Sequence, residues 1–236
     1  HYEFVFKILK ELELWGIFYV PTLPYTLNEM LDVHKIHLLI GKINAIKLLE
    51  KCHELITDDM IPYSKQEEFS NLTYRNQDNQ KGESEFKRIL NYFIDEKYKS
   101  NLIDEISKIY KIKYSADVFY IHPKNIKKME DSGMIIGSHG ESHPVMSKLN
   151  KSSQKQQIIR SFDYLHSICK MEHKSYCHPY GGFHSFDNKT IEILNENKVQ
   201  YSFNVESRDL EENDLLKKRH LLPRYDCNEF QFGKSS

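Results

Sequence analysis

No run of this sequence is apolar for long enough to cross a membrane. The best, residues 36–40, is closed off by Gly41 and Lys42, where a spanning helix needs about 20 apolar residues. An excess of one charge is missing too: 33 Lys and Arg stand against 34 Asp and Glu, a formal net charge of -1, which leaves no basic footprint for a nucleic acid. The four cysteines, Cys52, Cys169, Cys177 and Cys227, are widely spaced and form no CxxC pair. They read as ordinary thiols of a reducing compartment rather than a disulfide frame, which sets a cytoplasmic expectation. Paired aspartates at a strand end are absent as well. Asp58-Asp59, the only adjacent pair, lies between a helix-like segment and Pro62 and reads as a helix-end or turn feature. The first residue is His1 rather than Met, and the expectation is that residues precede it in the full protein.

What is present is the composition of a soluble globular chain, 236 residues with 39% hydrophobic and 28% charged, enough for one sizeable core. The stretch around which the rest is organised is residues 134–149, MIIGSHGESHPVMSKL. Met134, Ile135 and Ile136 signal a buried strand, Gly137 and Gly140 punctuate it, and Pro144 pushes His143 out of the right-handed helical region. A strand therefore runs into a loop that carries His139 and His143. Two imidazoles on one short loop can converge on a metal, which needs neutral nitrogen donors and usually a carboxylate from elsewhere. Glycine and proline here oppose the helical two-histidine zinc site, and Glu141 is not adjacent to His139 as the base of that site would be.

This block resembles the polysaccharide deacetylases of the NodB-like type, carbohydrate esterase family 4. There an IGSHxxxH segment supplies two histidine ligands behind a helix similar to residues 124–133, KNIKKMEDSG, and the likeness continues through Ser147, Lys148 and Leu149. The resemblance implies His139 and His143 as ligands of a divalent metal, zinc by ligand type. A second block, residues 174–183 (KSYCHPYGGF), resembles the family's RxPYG or YPYG turn. In that turn the tyrosine backbone N–H helps to hold the oxyanion, so Tyr180 is a catalytic candidate, with Gly181 and His178 as substrate-binding candidates. His178 departs from the pattern, standing where Tyr or Pro is usual, and the arginine that tethers the base in some members is absent from this block. Residues 221–226, LLPRYD, resemble a late LPR segment; Arg224 is the candidate for orienting a carboxylate, and His220 is the nearest candidate for the catalytic acid.

The family's first motif, TFDDG, carries the catalytic base and the third ligand, and it precedes a helix and strand that residues 1–25 resemble. The expectation is that this motif lies upstream of His1. The competing expectation is a degenerate member without hydrolytic competence. The resemblance covers residues 1–25 and 120–230. It implies an α/β fold, a distorted barrel of seven strands, in a single domain 1–236 with a helix-rich insertion at about 26–115. The implied activity is metal-dependent removal of an N-acetyl group from a sugar, in glycan or surface-polysaccharide biosynthesis. An N-acetylated carbohydrate is then the partner, with neither nucleic acid nor a membrane span. The rivals are a related amide hydrolase on a non-sugar substrate, a non-catalytic glycan-binding relative, and a helical adaptor built on the 26–115 region.

Residue periodicity places a helix over 2–14 with Phe4, Val5, Ile8, Leu9 and Leu12 inward, and a buried strand at 17–20. Four amphipathic helices follow before residue 115, with a polar loop at 71–82 that contains the formal glycosylation acceptor Asn71. His34 and His37 share a helical face there but read as packing or surface, since no carboxylate partner is near. Residues 116–120 read as extended. A strong amphipathic helix spans 152–170 with Arg160 outward, a helix spans 189–197, and 199–205 alternates as a strand.

Overall fold

A computed structural model describes residues 1–75 and 82–231. The chain divides into two compact units, His1–Glu29 with Ala116–Ser236, and Met30–Ser115. The first holds a parallel four-stranded sheet whose strand order follows the chain: β1 (Ile17–Val20), β2 (Ile135–Ser138), β3 (Ser175–Cys177) and β4 (Tyr201–Phe203). The register sets Val20 opposite Ser138, Ser138 opposite Tyr176, and Cys177 opposite Phe203, so the strands end together along one rim. Ligand-binding residues of parallel sheets collect at such a rim.

Three helices cover one face of this sheet: α1 (Pro123–Asp131), α2 (Lys151–Ile168) and α3 (Asn188–Glu196). Each starts where a side chain accepts an otherwise orphaned N–H. His122 takes Lys124 N, Asn150 takes Ser153 N, and Asp187 and Thr190 form a reciprocal capping box. Their apolar sides, Ile126 and Met129, Ile158 and Phe162, Ile193 and Leu194, share one core with Phe18, Val20, Ile136 and Tyr176. Each fully buried aliphatic side chain there stabilises the fold by about 1.5–3 kcal/mol. On the other face Tyr19 crosses Gly137 to place its hydroxyl 2.6 Å from Ser175 Oγ. A Cβ at Gly137 would lie 2.5 Å from the Tyr19 ring, so only glycine fits.

Parallel strands in sequence order, with their helices sharing one core, are the winding of an α/β unit. The α/β class with a parallel sheet therefore stands, while closure into seven strands is not seen among the described residues. Three expectations are corrected. The first helix, Tyr2–Phe6 and Lys7–Glu11, buries Phe6 and packs Tyr2 and Leu9 on the core. The predicted inward residues Phe4, Val5, Ile8 and Leu12 are 75%, 44%, 52% and 61% exposed, because apolar residues ring this helix and periodicity alone chose the wrong side. Residues Ala116–Phe119 form a helical turn instead of an extended piece. The predicted loop at 71–82 is helical through Arg75, where Tyr63–Arg75 ends; its stretch 76–81 lies outside the described residues.

Unit Met30–Ser115 is helical, with Asp32–Lys42, Ala45–Leu55, Tyr63–Arg75, Gly82–Arg88 and Glu96–Ile109 as its main elements. It has a core of its own, including Leu39, Leu48, Phe86 and Ile103, and a buried ammonium at Lys35 that bonds Asp104 at 2.6 Å. Among the described residues no helix is long and apolar enough to cross a membrane.

Candidate active site

His139 is the first residue past β2. Its backbone N–H donates to Val20 O (3.1 Å), extending the ladder by one residue, and its ring Nδ1–H donates to the Cys177 carbonyl at 2.7 Å. A carbonyl can only accept, so the neutral ring carries its lone pair on Nε2, the tautomer a metal-ligating histidine needs. Gly140, at φ +75°, then turns the chain, and the carbonyls of Gly140 and Glu141 accept from Thr22 and Leu23 after β1. His143 follows at φ +59°, outside the right-handed region as the following proline requires. Its ring centroid lies 4.7 Å from that of His139 and 4.8 Å from that of Tyr180, both edge to face.

Tyr180 comes from the turn after β3, where Tyr180 (φ +62°) and Gly181 (φ +73°) are both left-handed. Val205 N donates to Gly181 O at 2.8 Å, and a Cβ on Gly181 would meet Val205 Cγ2 at 2.4 Å, so that position tolerates only glycine. Left-handed backbone at non-glycine residues costs about 1 kcal/mol each and gathers at functional sites. Here two such residues, His143 and Tyr180, touch.

The structure thus brings His139, His143 and Tyr180 together. Arg224 stands nearby against the Cys177 thiol, which burial pushes up to about 11 although the guanidinium opposes the shift. The backbone of Arg224 pairs antiparallel with Glu206. His178 and His220 are placed elsewhere, in a buried polar chain. His178 Nε2–H donates to His220 O (3.0 Å), and its ring stacks on Phe186 with centroids 3.8 Å apart. His220 Nε2–H donates to Asn195 Oδ1 (3.1 Å), which leaves Nδ1 to accept from the Ser202 hydroxyl at 3.2 Å. Burial holds both imidazoles down to about 4, so both are neutral near pH 7. Both ring nitrogens of His220 are thereby committed within the protein.

The donor chemistry fits a divalent metal: two touching imidazoles, one with its tautomer fixed by a backbone carbonyl. Among the described residues no group of three or more His, Cys, Asp and Glu gathers as a donor set. Glu141, the carboxylate between the two histidines, is buried and faces the Arg160 guanidinium at 3.6 Å. His34 and His37 sit on Asp32–Lys42 in the helical unit, and burial lowers both, His34 to about 4.

Sequence reasoning missed the polar groups under the loop. Arg160 is exposed, as expected, but its guanidinium reaches Glu141, and Gln157 bonds Ser142. The available signal was Gln157 and Ser161, polar residues four apart beside the apolar stripe of α2. A cleft of about 510 Å³ lies at the opposite end of β2, between Trp15, Asp131, Met134, Lys170 and His173. Its Glu130 carboxylate accepts from Lys170 N and Met171 N, a loop-closing role, and nothing there joins the histidine cluster.

The polysaccharide deacetylase family matches residues 91–202, just under half of the chain. The match holds both the GSHGESH and HPYGG blocks and reaches back over the helix Glu96–Ile109, which the sequence reading left unmatched. No curated protein matches. Among solved structures, the Streptococcus pyogenes deacetylase PplD in complex with acetate is 19% identical, with a TM-score of 0.40 over 53% of this chain and 57% of that one. A de-N-acetylase from Aggregatibacter actinomycetemcomitans is 17% identical, with a TM-score of 0.39 over 53% of this chain and 64% of that one. This chain thus spans less than two thirds of either.

Proposed function

We propose that this chain, with its polysaccharide deacetylase match over residues 91–202, is a metal-dependent de-N-acetylase that releases acetate from an N-acetylated sugar. The observation that carries this reading is the meeting of His139, His143 and Tyr180 at the rim of β2 and β3, with ring centroids 4.7 and 4.8 Å apart. On this proposal the sheet belongs to a seven-stranded barrel, and zinc is the preferred ion by ligand type.

His139 and His143 would hold the metal together with a carboxylate donor. When bound, a divalent metal supplies Lewis-acid polarisation of an amide carbonyl and a water acidic enough to attack it near neutral pH. The Cys177 carbonyl keeps the His139 ring in the ligating tautomer and aims it. In the left-handed turn, the Tyr180 backbone N–H would help hold the oxygen that becomes negative as the carbonyl is attacked. Arg224, beside Cys177, orients a carboxylate that takes the proton. Return of that proton to the leaving nitrogen lets the amide C–N bond break, so that water and the N-acetyl sugar give acetate and an amino sugar. A dedicated enzyme of glycan biosynthesis is the setting we favour, because the helical unit replaces what would be a short loop.

The test is metal content and acetate release for the full-length protein, compared with His139→Ala. About one divalent metal per chain, with acetate release from N-acetylated sugars that the substitution abolishes, supports the proposal. A protein that takes up no metal and releases no acetate would overturn it and leave a glycan-binding role.

A further inference from the structure

The loop from Ser138 to His143 does not hold itself. Its backbone includes Gly140 at φ +75° and His143 at φ +59°, conformations that an unsupported chain leaves readily. Besides the bonds to Thr22 and Leu23 and the Val20 and Cys177 carbonyls, a single turn of α2 supports it. Ser161, buried on that helix, hydrogen-bonds Ser138 Oγ, which in turn accepts from Gly140 N at 3.1 Å. Four residues earlier, Gln157 Oε1 accepts both from Ser142 N (2.8 Å) and from Ser142 Oγ (3.2 Å). Between them Arg160 faces the Glu141 carboxylate at 3.6 Å. One helical turn therefore grips the loop just before His139 and just before His143.

We infer that Gln157 and Ser161 are positioning residues that set the spacing of the two histidines, with Gln157 fixing His143. This rests on the metal-site reading proposed above. The two rings sit on opposite sides of Gly140, so their separation is a property of the loop rather than of a rigid element. Chelation needs donors held within about 0.5 Å, and a ligand's supporting partners change metal affinity by roughly 10–100-fold. Gln157 is suited to this role because one amide oxygen satisfies two donors of the residue next to His143. Removing it leaves Ser142 N without that acceptor and lets the left-handed residue relax. A carboxylate at the same position keeps the acceptor oxygen.

The experiment uses the full-length protein, with Gln157→Ala, Gln157→Glu and the exposed neighbour Gln156→Ala as a control. Zinc affinity is measured by competition with a chromophoric chelator in 0.5 M salt, which screens the charge that Gln157→Glu adds. The imidazole NMR signals of His139 and His143 are recorded on the metal-free proteins. We expect Gln157→Ala to weaken zinc about tenfold and to broaden or split the His143 signals. Gln157→Glu restores both, Gln156→Ala changes neither, and the thermal midpoint of metal-free Gln157→Ala stays near that of the parent. A Gln157→Ala protein with unchanged ring signals overturns the inference. If the parent itself takes up no zinc, the metal-site reading fails, while the ring signals still decide whether Gln157 positions His143.

Discussion

The sheet unit carries two histidine pairs that differ in where their ring nitrogens find partners. His139 and His143 lie on a loop past the strand end, partly open, and the hydrogen bond that orients His139 comes from a backbone carbonyl. His178 and His220 are 0% and 4% exposed, and their bonds run through His220 O, Ser202 and Asn195 inside the fold. In the proposed function the first pair holds the metal, with the His139 ring oriented by that carbonyl. The second is a structural insert that links β3, β4 and α3. Residue type does not separate these roles; the identity of the partners does.

The sharpest way to break this contrast is to truncate each pair and read stability. His178→Ala should cost about 3 kcal/mol in urea unfolding, since it opens a cavity against Phe186 and removes the bond to His220 O. A loss below about 1 kcal/mol would place His178 among the adaptable residues instead. Acidification should also destabilise the fold. His178 and His220 have folded pKa values near 4, below the usual 6.5, so the unfolded chain binds protons that the folded chain refuses. The stability these rings contribute is complete above pH 6.5 and is lost as pH falls towards 4, to be followed as the urea midpoint across that range. Ser202→Ala should cost about 1 kcal/mol, as it strips the donor from His220 Nδ1. Last, His143→Ala should change stability by less than about 1 kcal/mol while zinc uptake disappears, checked by unfolding and metal titration in parallel.

Much of the sheet unit was legible because its signals are local. Ile17–Val20 emerges at its expected position, where an apolar run stops at Pro21. Helices α2 and α3 likewise follow from the period of their apolar residues. The convergence of His139 and His143 could be anticipated because both sit on one short loop, and Tyr180 joined them only through a family resemblance. Hydrogen bonds between distant segments were invisible: Gln157 to Ser142, Cys177 O to His139, Asn195 to His220. Each depends on register and packing that no local window contains. The first helix failed for a related reason, since apolar residues surround it and only tertiary context chooses the buried side.

That first helix also has a practical consequence. Phe4, Val5, Ile8 and Leu12 leave exposed apolar surface on the first helix and its end. Dyes such as anilinonaphthalene sulfonate bind such surface on native proteins as well as on partly unfolded ones. For this chain, bright dye fluorescence at neutral pH is the baseline of the folded state, and loss of packing has to be read from near-UV circular dichroism.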